Sequence, residues 1–124
     1  IVQIYLPQNL GLCSGIIIEF YKIADIFILP SFREGLSVAL MEAMACGLPV
    51  ICSDIRGNRD LIIDGKGGYL VNPNDVEGFA EKIRYAMYDE EFRRNCGLFN
   101  LRRIDDFNEE KVLNILEDIY VHYK

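Results

Sequence analysis

Two carboxylates, Glu34 and Glu42, bracket the part of this 124-residue sequence best suited to chemistry, Phe32-Arg33-Glu34-Gly35-Leu36-Ser37-Val38-Ala39-Leu40-Met41-Glu42. Between Gly35 and Ser53, Glu42 is the only acidic residue, set among Leu, Ala, Val and Met. A carboxylate in so apolar a helix is expected to be buried, which is costly unless donors reach it; ligand hydroxyls would do so without neutralising it. Glu34 lies eight positions earlier. That is about 12 Å along the axis if the stretch were helical throughout. Two acids so placed could hold two ends of one elongated, hydroxyl-rich ligand. Between them the amides of Gly35, Leu36, Ser37 and Val38 open a helix, whose unpaired N–H groups and positive dipole end favour an anion. Gly35 lets a phosphate approach the backbone, and Ser37 can cap or donate. A phosphate in the middle and polyols at both ends describe a nucleotide sugar. The same residues also fit a helix terminus carrying acids by chance, with Glu42 satisfied by a core Arg or Tyr.

The elements that must position these groups follow from periodicity. Residues 1–6 read as a buried strand, 7–15 as a loop and 16–24 as a short helix. Ile26-Phe27-Ile28-Leu29 is wholly apolar and stopped by Pro30-Ser31, the pattern of a strand covered on both faces. A helix over 36–46 ends at Gly47 with Pro49 beyond, followed by a strand at 50–52, a short helix at 58–63 and a strand at 68–71. Val76, Phe79, Ala80, Ile83 and Met87 then recur at helical spacing. A second helical stretch, 89–103, is expected to break at Gly97, and a third starts after an N-cap at Asn108. Strands alternating with helices predict an α/β fold, a Rossmann-like parallel sheet with flanking helices. The closing helices leave the sheet and pack across it. The chain opens inside an apolar run without a Met and reads as one truncated domain, residues 1–124, cut from something longer.

Composition narrows the function classes. Half the residues are hydrophobic (51%), and the net charge is −6, from 19 acidic and 13 basic residues. A protein that lives on nucleic acid or anionic lipid needs a basic face, so neither is an expected partner. No apolar run reaches the ~20 residues of a spanning helix. The cysteines, Cys13, Cys46, Cys52 and Cys96, form no C-x-x-C pair, and His122 stands far from them; no zinc site is expected, and the thiols read as reduced and mostly core. His122 reads as a surface residue.

Three segments carry a specific resemblance: Pro30-Ser31-Phe32-Arg33-Glu34-Gly35, Glu42-Ala43-Met44-Ala45-Cys46-Gly47-Leu48-Pro49-Val50 and Ser53-Asp54-Ile55-Arg56-Gly57-Asn58. They resemble the donor-binding, C-terminal domain of family 4 glycosyltransferases, GT-B enzymes with an E-x7-E motif. Ala24-Asp25-Ile26, Gly68-Tyr69-Leu70-Val71, Pro73 and Asp75 extend the likeness over roughly residues 16–88. The resemblance implies that Glu34 acts at the donor sugar near the reacting carbon and Glu42 binds the ribose hydroxyls. The amides of Gly35, Leu36, Ser37 and Val38 would hold the diphosphate. It implies transfer of a hexosyl group from a UDP- or GDP-sugar with retained configuration, no obligatory metal and no cofactor beyond the donor. The implied partners are an N-terminal acceptor domain outside this chain and a glycan or lipid-linked acceptor. The implied location is cytoplasmic, peripheral to the inner membrane through that domain.

The sequence also departs from the pattern. The strands that would supply a basic pair to the diphosphate are absent; Arg33 reads either as a partial substitute or as a solvated surface residue. Residues 7–15 lack the family's Gly-x-basic-x-Asp loop. Arg56, Arg59 and Asp60 stand where a small-residue turn and a Glu are usual; Asp60 reads as capping or structural. A receiver-like signalling module would need an acidic pair after Leu6, where Pro7-Gln8-Asn9 stands, and a dinucleotide-binding oxidoreductase would need G-x-G-x-x-G, which is missing. A domain that keeps the nucleotide pocket without turnover remains the non-catalytic alternative.

Overall fold

A computed structural model describes residues 4–5, 23–32 and 38–106. Four parallel strands, β1 (Ile4–Tyr5), β2 (Ile26–Leu29), β3 (Val50–Ser53) and β4 (Gly68–Val71), lie side by side in chain order. Val50 pairs with both Phe27 and Gly68, and Leu29 with Cys52. Among the described residues four helices accompany them: α1 (Val38–Ala45), α2 (Arg56–Leu61), α3 (Val76–Tyr88) and α4 (Glu90–Asp106). The expectations for residues 7–15, most of 16–24, Cys13, the Asn108 cap and His122 lie outside the described residues.

The apolar runs of β2 and β3 are buried at every position, because helices cover both faces. Alternation along the strands divides the core in two. Phe27, Leu29, Val50 and Cys52 pack with Leu40, Met41, Ala43 and Met44 of α1 and with Leu61 and Ile62. Ile26, Ile28, Ile51 and Val71 pack with Phe79 and Ala86 of α3. Burying each large side chain in these layers contributes about 1.5–3 kcal/mol.

Helix ends are set by local chemistry. After α1, Gly47 takes the left-handed conformation (φ 72°), Leu48 N–H donates to Ala43 O and Gly47 N–H to Met44 O, and buried Leu48 closes the turn. This is a Schellman motif, and Pro49 prevents further winding. At α3, Asp75 Oδ1 accepts from Gly78 N at 2.8 Å, while Arg93 Nη1 donates to Ala86 O and Met87 O, both at 2.7 Å. A cation there satisfies the last carbonyls and the negative dipole end.

Two expectations are corrected. α4 runs unbroken through Gly97: a side chain at that position would collide with the Gly47 carbonyl, so the glycine serves a close helix-to-turn contact and not a break. α2 begins two residues before the expected start at 58 and stops at Leu61, and Asn58 in its first turn points inward, donating to Ser53 O. Asp60, read as capping or structural, is exposed and accepts from Arg103 Nη2 at 3.0 Å through its backbone carbonyl.

Of the three described cysteines, Cys52 and Cys96 are buried free thiols and Cys46 is exposed. Burial, and then the charge of Asp89, push the Cys96 thiol from 9.0 up to about 11. Burial pushes the Cys52 thiol up further, with Asp54 and Asp64 adding to it. The folded chain thus holds these protons more tightly than the unfolded chain. The stability they contribute is complete below about pH 9 and is lost as pH rises through 11. Thermal melts followed by circular dichroism should show the midpoint falling between those values, with Cys96→Ala reducing the slope; a flat midpoint would contradict this.

Candidate functional site

In an open parallel sheet, ligands bind in the crevice outside the C-terminal ends of the strands. That edge is formed here by residues 30–32 after β2, 53–55 after β3 and 71–73 around the end of β4. The opposite edge is occupied by α4. Its Asn100, fully buried, donates through Nδ2 to Leu48 O (2.8 Å) and Gly67 O (2.7 Å), on the turns that lead into β3 and β4. Arg103 of the same helix donates to Leu61 O and Asp60 O at the end of α2.

Hydrogen bonds join neighbouring strand ends across the C-terminal edge. Ser31 N donates to Ser53 Oγ at 2.7 Å, and Asp54 N to Val71 O at 2.6 Å. Asn58 Nδ2 donates to Ser53 O at 2.9 Å; both residues are fully enclosed. Arg59 Nε lies 3.2 Å from Asp54 Oδ1, but both side chains are exposed, so the pair contributes about 0–1 kcal/mol. Phe32, 69% exposed, marks where the chain leaves the sheet.

Arg33, Glu34, Gly35, Leu36 and Ser37 lie outside the described residues. The chain re-enters at Val38, the first described residue of α1. Since α1 carries the chain from the C-terminal end of β2 back to the start of β3, its N-terminal end stands at the candidate crevice. Glu42 follows one turn on, about 6 Å along the axis. Glu42 is half-buried, which corrects the expectation of an enclosed carboxylate. The buried positions of α1 are Leu40, Met41, Ala43 and Met44, whereas Ala45, and Cys46 just past its end, are apolar by type yet exposed. An eight-residue helix packed on one side leaves a strip open, and Glu42 lies on that strip. Its position therefore argues for a role, and its desolvation does not.

Sequence reading assigned no role to Ser53, Asn58 or Asn100. The available signal was a polar residue at the end of an apolar strand and asparagines interrupting apolar helical spacing. Among the described residues no three His, Cys, Asp or Glu side chains gather as a metal site would require. A groove of about 820 Å³ lies on the α3 flank, lined by Tyr69, Glu77, Arg84, Tyr85, Tyr88 and Phe92. Lys82 Nζ sits 4.5 Å from the centre of the Tyr69 ring there, and Tyr69 stacks on Phe92. No described helix is long and apolar enough to cross a membrane.

The sequence model of the family described as glycosyl transferases group 1 matches residues 10–100, which include both strand ends and α1. The chain belongs to this family. Among its relatives, the capsular polysaccharide biosynthesis glycosyltransferase CapM of Staphylococcus aureus is 32% identical over 104 residues, 83% of this chain and 27% of the relative. The UDP-Gal:alpha-D-GlcNAc-diphosphoundecaprenol alpha-1,3-galactosyltransferase of Escherichia coli is 32% identical over 103 residues, 81% of this chain and 26% of that enzyme. In the solved C-terminal domain of the group 1 family protein LpcC from Francisella tularensis, the match has a TM-score of 0.70 at 26% identity. It covers 76% of this chain and 48% of that one. This group 1 glycosyl transferase chain thus spans under a third of the length of these two sequence relatives. The match to a C-terminal domain agrees with the expected Rossmann-like half of a GT-B fold, and the receiver and oxidoreductase readings are set aside.

Proposed function

We propose that residues 1–124 are the donor-binding domain of a glycosyltransferase that moves a hexosyl group from a nucleotide diphosphate sugar to a glycan or lipid-linked acceptor, with retained configuration. The acceptor would be held by a second, N-terminal domain of the same protein. One observation carries this reading. The stretch with Glu34 and Glu42 joins the C-terminal end of a central parallel strand to α1, within the residues that match the group 1 glycosyl transferases. Relatives that make capsular polysaccharide and that use a UDP-galactose donor support the substrate class.

Breaking the bond between sugar and diphosphate leaves negative charge on the leaving phosphate and positive charge on the sugar ring. The amides of Gly35, Leu36, Ser37 and Val38, with the dipole of α1, would stabilise the phosphate side, and Arg33 would add a cation. Glu34 would hold the sugar hydroxyls near the reacting carbon and favour its developing positive charge, so its contribution grows toward the transition state. Glu42 would accept hydrogen bonds from the ribose. None of these roles needs a metal or a covalent intermediate on the protein.

The Glu42 assignment is tested by titration calorimetry of nucleotide diphosphate into the intact protein. Hydrogen bonds to a charged group contribute about 1.5–3 kcal/mol, so Glu42→Ala is expected to weaken binding about ten- to a hundredfold. Unchanged affinity would remove Glu42 from the site.

A further inference from the structure

The geometry points to Ser53 and Asn58 as positioning residues for the glutamate-bearing loop, an inference that rests on the transferase reading above. Ser31 is the second residue beyond β2, and Glu34 follows three positions later. The backbone of Ser31 is held by the Ser53 hydroxyl, at 2.7 Å, from the neighbouring strand end. Ser53 is itself fixed from below, since Asn58 Nδ2 donates to its carbonyl at 2.9 Å and Ile55 N–H donates to the same oxygen at 2.9 Å. The origin of the loop is thereby locked to β3, and Asp54 N–H locks β3 in turn to Val71 of β4.

Side-chain latches of this kind are not needed to hold a parallel sheet, whose ladder is made by the backbone. The chemistry of the group also argues against a purely stabilising role. Ser31 Oγ and Asn58 Oδ1 are both buried without a hydrogen-bond partner among the described residues. An unpartnered buried polar atom opposes folding, and an apolar residue of the same shape would avoid that cost. Polar groups kept at such a place fix a direction: here, that in which the chain leaves β2 toward Glu34. A displacement of the reacting groups by about 1 Å suffices to lower turnover severely.

The test uses the full-length protein carrying this chain, with UDP- and GDP-hexoses as probes. Ser53→Ala removes the acceptor for Ser31 N–H, and Ser53→Thr keeps a hydroxyl in place. Ser53→Ala is expected to lower kcat about tenfold with KM for the donor within twofold, and Ser53→Thr to restore most of it. Hydrogen exchange of the peptide covering residues 31–37 should quicken in Ser53→Ala, with α3 and α4 unchanged. Asn58→Ala should move both readouts in the same direction, less strongly. Unchanged exchange in Ser53→Ala would overturn the latch. Faster exchange with unchanged kcat, or a lower melting temperature as the sole effect, would overturn the positioning role. A wild-type protein that turns over no nucleotide sugar would defeat the transferase reading instead, and the exchange measurement would still decide whether Ser53 holds the loop.

Discussion

Glu34→Gln in the intact protein is expected to lower kcat by about a hundredfold, or about 2.7 kcal/mol of transition-state stabilisation, with nucleotide affinity changed by less than about twofold. Gln keeps the size of the side chain and one acceptor oxygen but removes the negative charge. Under the proposed roles that charge faces the sugar, which becomes positive only as the bond to the diphosphate lengthens, so its loss is felt in the transition state and hardly at all in the bound donor. The diphosphate and ribose contacts, assigned to residues 35–38 and to Glu42, are untouched. Initial-rate kinetics and calorimetry on the same preparation separate the two effects. Equal losses in turnover and nucleotide affinity would move Glu34 from the sugar side to the nucleotide side.

Gly68→Ala is expected to cost more than about 4 kcal/mol, enough to unfold a domain whose total stability lies in the usual range of about 5–15 kcal/mol once any other strain is present. Two causes add. Gly68 has φ 138°, a conformation that side chains rarely adopt, and its strand partner Val50 comes so close that a Cβ would overlap the Val50 carbonyl. The backbone strain alone is worth about 1–3 kcal/mol. The overlap is with the backbone of the paired strand, so relief requires parting β3 from β4. Gly65 makes the comparison: φ is 81° there, but no atom lies within 4 Å of a Cβ, so Gly65→Ala should cost only about 1–2 kcal/mol. Urea denaturation of the two variants, side by side, measures the difference. A Gly68→Ala protein no less stable than Gly65→Ala would mean that the strand pairing is looser than described.

The parts of the fold that were legible in the sequence are those governed by short-range pattern. The apolar runs of β2 and β3, the Gly47-Leu48-Pro49 stop and the amphipathic spacing of α3 each carry their cause within a few residues. What was misread depends on contacts distant in sequence. Gly97 looks like a helix breaker until the Gly47 carbonyl, fifty residues earlier, is placed against it. Asn100 looks like one more polar position on a charged helix, yet it satisfies two carbonyls in two different turns. Glu42 was expected to be buried because its neighbours are apolar, but residue type does not say which side of a helix meets the sheet. For the candidate site, the sequence supplied the residue types and their spacing, and the match to the group 1 glycosyl transferases spans them. The hydroxyl and amide that hold the loop's origin emerged only from coordinates, since nothing local links Ser31 to Ser53.

Helix α4 has a consequence for how the domain falls apart. Phe92, near one end, packs in the layer beneath α3, while Ile104, near the other, belongs to the layer around α1 and α2. A single rod therefore serves as a clasp for two otherwise separate oily compartments, and its withdrawal opens both together. Neither half of the sandwich is therefore expected to melt independently, and damage anywhere along that clasp should register as one all-or-none collapse and not as a gradual fraying from one side.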